Sequence, residues 1–275
     1  MSSHPFRFIV LIPLLFFFAS CGEIRKPVQP VYRFELNKPL LYKLKVQFNV
    51  SLDMGLAKYS GLVDFTADVE LKAIETNTNG WKIAVDIRNP DVRGADSRIN
   101  TAIYMGLNMI RNWFPSFQID RYGKVDVWMN GVPQMALSEF MSAVFPDFSD
   151  MDALIRGASH KTNFAATMQS SELTMVFLRT ETLKNSDSRT VALSQTIEVN
   201  TFDKDEYEKS VDPVPMGSFT LDMDEAFDSM KGELQNKAGK MELAMKVPIK
   251  QGIFSYNILV QGNGTLELLL AEPAM

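Results

Sequence analysis

The segment Leu40-Leu41-Tyr42-Lys43-Leu44-Lys45-Val46-Gln47-Phe48-Asn49-Val50 puts an apolar side chain at every even position and Lys, Gln or Asn at four of the five odd positions between them. Successive strand side chains point to opposite faces, so this two-residue period predicts a strand with one buried face and one wet face. The same period returns in Val63, Phe65, Ala67, Val69, Leu71 and Ala73, separated by Asp64, Thr66, Asp68, Glu70 and Lys72, and again in Trp81, Ile83, Val85 and Ile87. Between these two runs, Glu75–Gly80 contains Asn77, Asn79 and Gly80, residues that tolerate left-handed turn conformations. A hairpin is the economical link, and the sheet begins antiparallel.

The middle of the chain changes period. Ala102, Ile103, Leu107 and Ile110, with Met105 and Met109 beside them, recur at helical spacing ahead of Trp113-Phe114-Pro115, which predicts a helix ending before the proline. A short strand pair, Phe117–Asp120 and Lys124–Met129, is expected around the Tyr122-Gly123 turn. Met135, Leu137, Phe140, Met141, Val144 and Phe145 predict a second helix up to Pro146, and Ser149 or Asp150 can cap a third that ends near Gly157.

Strands return as Leu173–Thr180, Val191–Val199, Ser218–Met223, Met241–Ile249, Phe254–Val260 and Thr265–Leu270, with Gly252 and Gly262-Asn263-Gly264 as expected turns. Asn200–Asp212, dense in charge, is expected to be an exposed loop. Ala226–Gly239 fits a helix or a curved strand, and Gly232 and Gly239 favour the strand. Ser51-Leu52-Asp53-Met54 is echoed by Thr220-Leu221-Asp222-Met223, but no regular period supports a repeat array. The class expected is α+β, mainly antiparallel β: a curved sheet or half-barrel with a central helical insertion, about residues 100–157, packed on its concave face.

Composition narrows the functions. The 275 residues are 46% hydrophobic and carry a net charge of −5, with no dense Lys/Arg patch to neutralise phosphates, so nucleic acid is not an expected partner. Only His4 and His160 are present, the one cysteine is Cys21, and no Gly-x-Ser-x-Gly elbow occurs. A Ser-His-Asp arrangement would have to use His160, and a zinc site would lack ligands. The acidic clusters Asp147, Asp150, Asp152 and Asp203, Asp205, Glu206, Glu208 lack the spacing of a calcium loop and are expected as solvated charge. No enzyme activity, cofactor or metal is expected.

The N-terminus has a different grammar. Arg7, the apolar run Phe8–Phe18 and the small pair Ala19-Ser20 form a positive start, an apolar middle and a cleavage region in that order. The run is shorter than the roughly 20 apolar residues that span a bilayer. Cys21 follows directly. Phe18-Ala19-Ser20-Cys21 resembles the lipobox of bacterial lipoproteins, departing from it at Phe18, where Leu is usual. The resemblance implies that residues 1–20 are a signal peptide, that the Cys21 thiolate takes a diacylglyceryl group, and that the protein is exported and anchored to the cell envelope. With Gly22 after the cysteine it also implies the outer membrane if the host is diderm. Loss of residues 1–20 would remove Arg7 and no acid, leaving a net −6. Residues 21–31, with Pro27 and Pro30, read as a lipidated tether, and 32–275 as a single domain.

The order strands, helices, strands behind a lipid anchor is similar to the half-barrel architecture of periplasmic lipoprotein-carrier and lipid-binding lipoproteins. It implies an apolar ligand between sheet and helices. Trp113, Phe114, Phe117, Met135, Phe140, Met141 and Phe145 are the candidate cavity residues; with Phe148 they fit an ordinary helix-on-sheet core equally. Two functions follow: a membrane-anchored lipoprotein that binds a lipid or other apolar small molecule, or a lipoprotein with a filled core that works through an envelope-protein partner.

Overall fold

The computed structural model describes residues 29–53, 55, 58–94, 97, 100–101, 104, 116–129, 132–133, 135–142, 144–168, 171–187, 189–251 and 254–271. Among these, three strands open the chain, β1 (Pro39–Asp53), β2 (Lys58–Thr76) and β3 (Gly80–Gly94). Four short strands follow, β4 (Ser116–Asp120), β5 (Val125–Asp126), β6 (Trp128–Met129) and β7 (Val132–Pro133), then the helices α1 (Met135–Ser142) and α2 (Met151–Arg156). The chain continues through β8 (Ala158–Met168), β9 (Ser171–Ser186), β10 (Thr190–Asp203), a one-turn helix α3 (Lys204–Lys209), β11 (Gly217–Asp228), β12 (Glu233–Gln251) and β13 (Phe254–Leu270).

Eleven of the described strands form one antiparallel sheet in the order β5-β4-β3-β2-β1-β13-β12-β11-β10-β9-β8. It is two meanders joined where the first and last strands pair, from Tyr42↔Leu270 to Asp53↔Leu259. β2 and β12 each run 19 residues, several times the usual strand length, and sheets of this size and twist curl. The result is a half-barrel with the helical insertion on its concave face. No helix among the described residues is long and apolar enough to cross a membrane.

Period-two alternation gives the sheet its two faces. The outer face is hydrated and laddered across strands: Lys43 with Asp68, Gln47 with Asp64 at 3.0 Å, and Thr196 with Asp222 at 2.7 Å. Such exposed pairs add little stability but keep the face polar. The inner face builds the main core at one end of the half-barrel. There Tyr42, Leu71, Ile83 and Phe117 from the first meander and Leu193, Phe227, Leu234 and Leu268 from the second meet Phe145, Phe148 and Leu154 of the insertion. Tyr32, from the segment before β1, sits among them with ring centroids 4.8 Å from Phe227 and 6.0 Å from both Phe145 and Phe148. Its hydroxyl donates to the Pro146 carbonyl at 3.2 Å, and that of Tyr42 to the Leu234 carbonyl at 3.0 Å, so neither buried phenol is left unsatisfied.

The segment before β1 closes this end. Tyr32 N–H donates to Arg121 O at 2.8 Å, Arg33 N–H to Gly232 O at 3.0 Å and Asn37 N–H to Ala73 O at 2.9 Å, stitching the β4–β5 turn, the β11–β12 turn and β2 together. Gly123 permits the closure. It holds φ at +100°, and a Cβ there would lie 2.0 Å from Pro146 O and 2.7 Å from the Tyr32 ring.

Several expectations change. Gly262-Asn263-Gly264 is no turn but the middle of β13, opposite Phe48. A Cβ at Gly264 would lie 2.1 Å from the Gln47 carbonyl and 2.8 Å from the Phe48 ring, so glycine serves a close approach between strands. Asn200–Asp212 is not a loop throughout: β10 runs to Asp203, whose carboxylate caps α3 by accepting from Glu206 N–H at 3.1 Å. Lys124–Met129 is not one strand, because Val125–Asp126 pairs with β4 and Trp128–Met129 with β7. Helix α1 ends at Ser142 rather than running to Pro146. His160, which follows α2, belongs to β8 and is paired with Arg179. Ala226–Gly239 is a strand end, a turn and a strand start, while α2 is capped by Asp150 and ended by Gly157 as expected. The helix expected over 102–110 lies, apart from Tyr104, outside the described residues.

Gly264→Val is expected to lower the urea unfolding free energy by roughly 1–3 kcal/mol, the usual cost of overpacking. Adding Phe48→Ala should not restore it, because the Gln47 carbonyl still blocks the new side chain. Full recovery in the double variant would show the ring alone to be the obstacle.

Candidate functional site

Beyond the closed end the inner face stays apolar and is covered unevenly. Along one cross-strand row Phe48 faces Gly264, which faces Met241, then Leu221, then Ile197. In the next row Val46 faces Leu266. Phe48, Val46, Leu266, Met241 and Leu221 are all half-buried, unlike the side chains of the closed end. In the first meander Val63, Phe65, Ala67, Ile87 and Val92 form a second buried cluster, with Leu44 touching both clusters. The apolar lining is therefore continuous from the closed end outward along β1 and β2.

The second meander interrupts its apolar lining with charge. Glu181 on β9, Gln195 on β10, Glu225 on β11 and Lys237 on β12 occupy inner-face positions and are 3%, 1%, 3% and 2% exposed. Lys237 Nζ donates to Glu225 Oε1 at 2.7 Å and to Gln195 Oε1 at 3.0 Å, and Gln195 Nε2 donates to Glu181 Oε1 at 2.7 Å. Arg179 Nε lies 4.0 Å from Glu181 Oε2. The chain of bonds works because strand register puts Glu181 opposite Gln195 and Glu225 opposite Lys237. Among the described residues, Glu225 Oε2 and Arg179 Nη1 of this row are buried with no hydrogen-bond partner. A cleft of about 140 Å³ between α2, the residues just before it and β9 reaches Arg179 and Glu181.

Burial dominates the titration of this row. It pushes the Glu181 carboxyl up to about 7, with the neighbouring Arg179 opposing the shift, and it raises Glu225 against the pull of Lys237. Burial also raises the Tyr32 and Tyr42 phenols. Among the described residues no group of three or more His, Cys, Asp or Glu side chains is placed to hold a metal ion.

Of the apolar residues singled out in the sequence, the structure brings three together. Phe117 and Phe145 pack in the main core with ring centroids 5.2 Å apart, and Met141 packs against it half-buried. Met135 and Phe140 lie on α1, but their side chains, like Trp113, Phe114, Cys21 and the lipobox residues Phe18, Ala19 and Ser20, lie outside the described residues. Sequence reasoning missed the buried polar row. A signal existed: in Phe177-x-Arg179-x-Glu181-x-Leu183 and Leu193-x-Gln195-x-Ile197 polar residues stand at the apolar phase of a strand. Only the fold shows that they meet.

No family model and no curated protein matches the sequence. Among solved structures, the one named "Lipid-protein interactions in lipovitellin" is similar at a TM-score of 0.42 and 9% identity; the match covers 88% of this chain but 26% of the other, so the chain spans about a quarter of that protein's length.

Two outcomes are expected. Lys237→Met should destabilise the protein by about 3–5 kcal/mol by stranding Glu225, whereas Lys237→Met with Glu225→Leu should recover most of the loss; equal losses in urea titrations would mean that the two side chains do not act as a pair. For Glu181, the fold keeps the proton up to about pH 7 while the unfolded chain releases it near 4.5. Between those values the folded state binds more protons, so stability falls as pH rises. Relative to Glu181→Gln, the wild type should lose up to about 3 kcal/mol from pH 4 to 8. Parallel pH curves would remove Glu181 as the cause.

Proposed function

We propose that the chain is a lipid-anchored protein of the bacterial cell envelope, held through Cys21, that binds a lipid or other apolar ligand against the inner face of its half-barrel. The observation that carries this reading is the contrast along that face: Tyr32, Phe145 and Phe148 are fully buried at one end, while Phe48, Met241 and Leu221 further along are only half-buried. Apolar side chains in that state favour an apolar occupant. Each buried methylene contributes about 0.8 kcal/mol, so an acyl chain with about twelve of them in contact would gain roughly 10 kcal/mol before the costs of immobilisation.

The outer face argues for the ligand being inside. Strands that sit in a bilayer turn apolar residues outward and close on themselves. This sheet turns Lys43, Asp68, Asp222 and Lys240 outward and has free ends at β5 and β8 among the described residues. It is suited to water outside and lipid within.

Native mass spectrometry of residues 22–275 is expected to find an apolar ligand near one per chain. Met241→Asp or Leu243→Asp should reduce its occupancy about tenfold, and Lys240→Asp on the outer face should not. A ligand-free wild type would instead favour a filled lipoprotein that works through a protein partner. In cells, Cys21→Ser should abolish acyl labelling and release the protein from the membrane fraction; unchanged fractionation would remove Cys21 as the anchor.

A further inference from the structure

The tether and the sheet together fix which end of the half-barrel can face the anchoring membrane. Seven residues separate Cys21 from Gln29, so the eight steps between their Cα atoms reach at most about 28 Å when fully extended. Gln29 is fastened to the closed end: its Nε2 donates to Phe148 O at 2.7 Å and to Ser149 O at 3.3 Å, just before the Tyr32 and Arg33 backbone bonds. From that end β2 runs 19 residues to its start at Lys58, about 60 Å at roughly 3.3 Å per residue. Even tilted by about 40°, as barrel strands are, it rises about 45 Å, more than the tether can span. An inverted molecule would hold Gln29 too far from the bilayer for Cys21 to reach it.

The closed end also carries a surface suited to a membrane. Met230, at the β11–β12 turn, is 66% exposed. Arg33 Nη1 donates to its carbonyl at 3.1 Å, and Lys231 and Arg189 stand beside it, both exposed. Of the acids beside this tip, Asp228 is buried and 3.6 Å from Arg189, exposed Asp187 accepts the Arg189 and Thr190 N–H groups, and Glu35 pairs with Lys38 at 2.7 Å. Glu233 is partly buried next to Lys231. An exposed thioether ringed by Arg33, Arg189 and Lys231 matches the boundary between anionic headgroups and acyl chains.

We infer that the closed end, with Met230, Lys231, Arg33 and Arg189 at its tip, rests on the anchoring bilayer, and that the opposite end, where β1 meets β2 and β10 leads to β11, points away from it. This rests on the lipoprotein reading and deepens it: an apolar ligand then enters or leaves on the side away from the anchor, by exchange with a carrier or an opposing surface instead of the leaflet below. The test uses acylated full-length protein in vesicles of phosphatidylethanolamine and phosphatidylglycerol. Since Cys21 is blocked by lipid, single cysteines introduced as Lys231→Cys or Val211→Cys can carry a fluorophore, with an acceptor dye on the headgroups. Energy transfer should be several-fold stronger from position 231 than from 211. Acylated protein in which 211 transfers as well as or better than 231 overturns the orientation alone. Protein whose Cys21 carries no lipid by mass spectrometry overturns both the anchor and the orientation.

Discussion

The pairing of β1 with β13 is the contact on which the rest of the fold depends. Each meander is built from hairpins between sequence neighbours, but the meanders become one sheet only where residues 42–53 meet residues 259–270. Closing a loop of that length costs chain entropy before any contact rewards it. The compensation comes from length and from fit. The strands are long, and Phe48 covers the glycines of β13, so the two backbones approach closely at the middle of the seam.

That seam brings both meanders to the same closed end, where one aromatic cluster serves several purposes. Tyr32, Phe145, Phe148 and Phe227 come from the leading segment, the insertion and the second meander, so one set of ring contacts locks three parts of the chain. The buried polar row works by a different rule. Lys237, Glu225, Gln195 and Glu181 gain little net energy against apolar side chains of similar volume, yet a wrong strand register would leave them without partners. They act as a check on the alignment of β9 to β12, in a stretch where the apolar pattern alone would allow slippage by two residues.

The same division runs along the strands. The closed end is solid, and the lining beyond it is apolar and less covered. The leading segment enters at the end closed by the aromatic cluster, where Gln29 and Tyr32 are fastened by hydrogen bonds.

Much of this was legible in the sequence because strand periodicity is local. Leu40–Val50, Val63–Ala73 and Trp81–Ile87 specify their own faces, and Asp150 and Gly157 mark the limits of α2. The apolar candidates Phe117, Met141 and Phe145 were found by composition, but their mutual contact was not. Other features were hidden because their cause lies across the sheet. Gly262 and Gly264 resemble a turn until the Phe48 ring lies over both. Glu181 and Lys237 look like solvated charges until register aligns four strands. Tyr32, the first residue after the expected tether, carries no local mark of a core position until it meets Phe227. Local sequence determines which face of each strand is apolar, since the alternation of side chains is a property of the backbone; which strands meet, and what fills the space between them, is set only when distant segments pack, because those energies depend on pairs of residues and not on single ones.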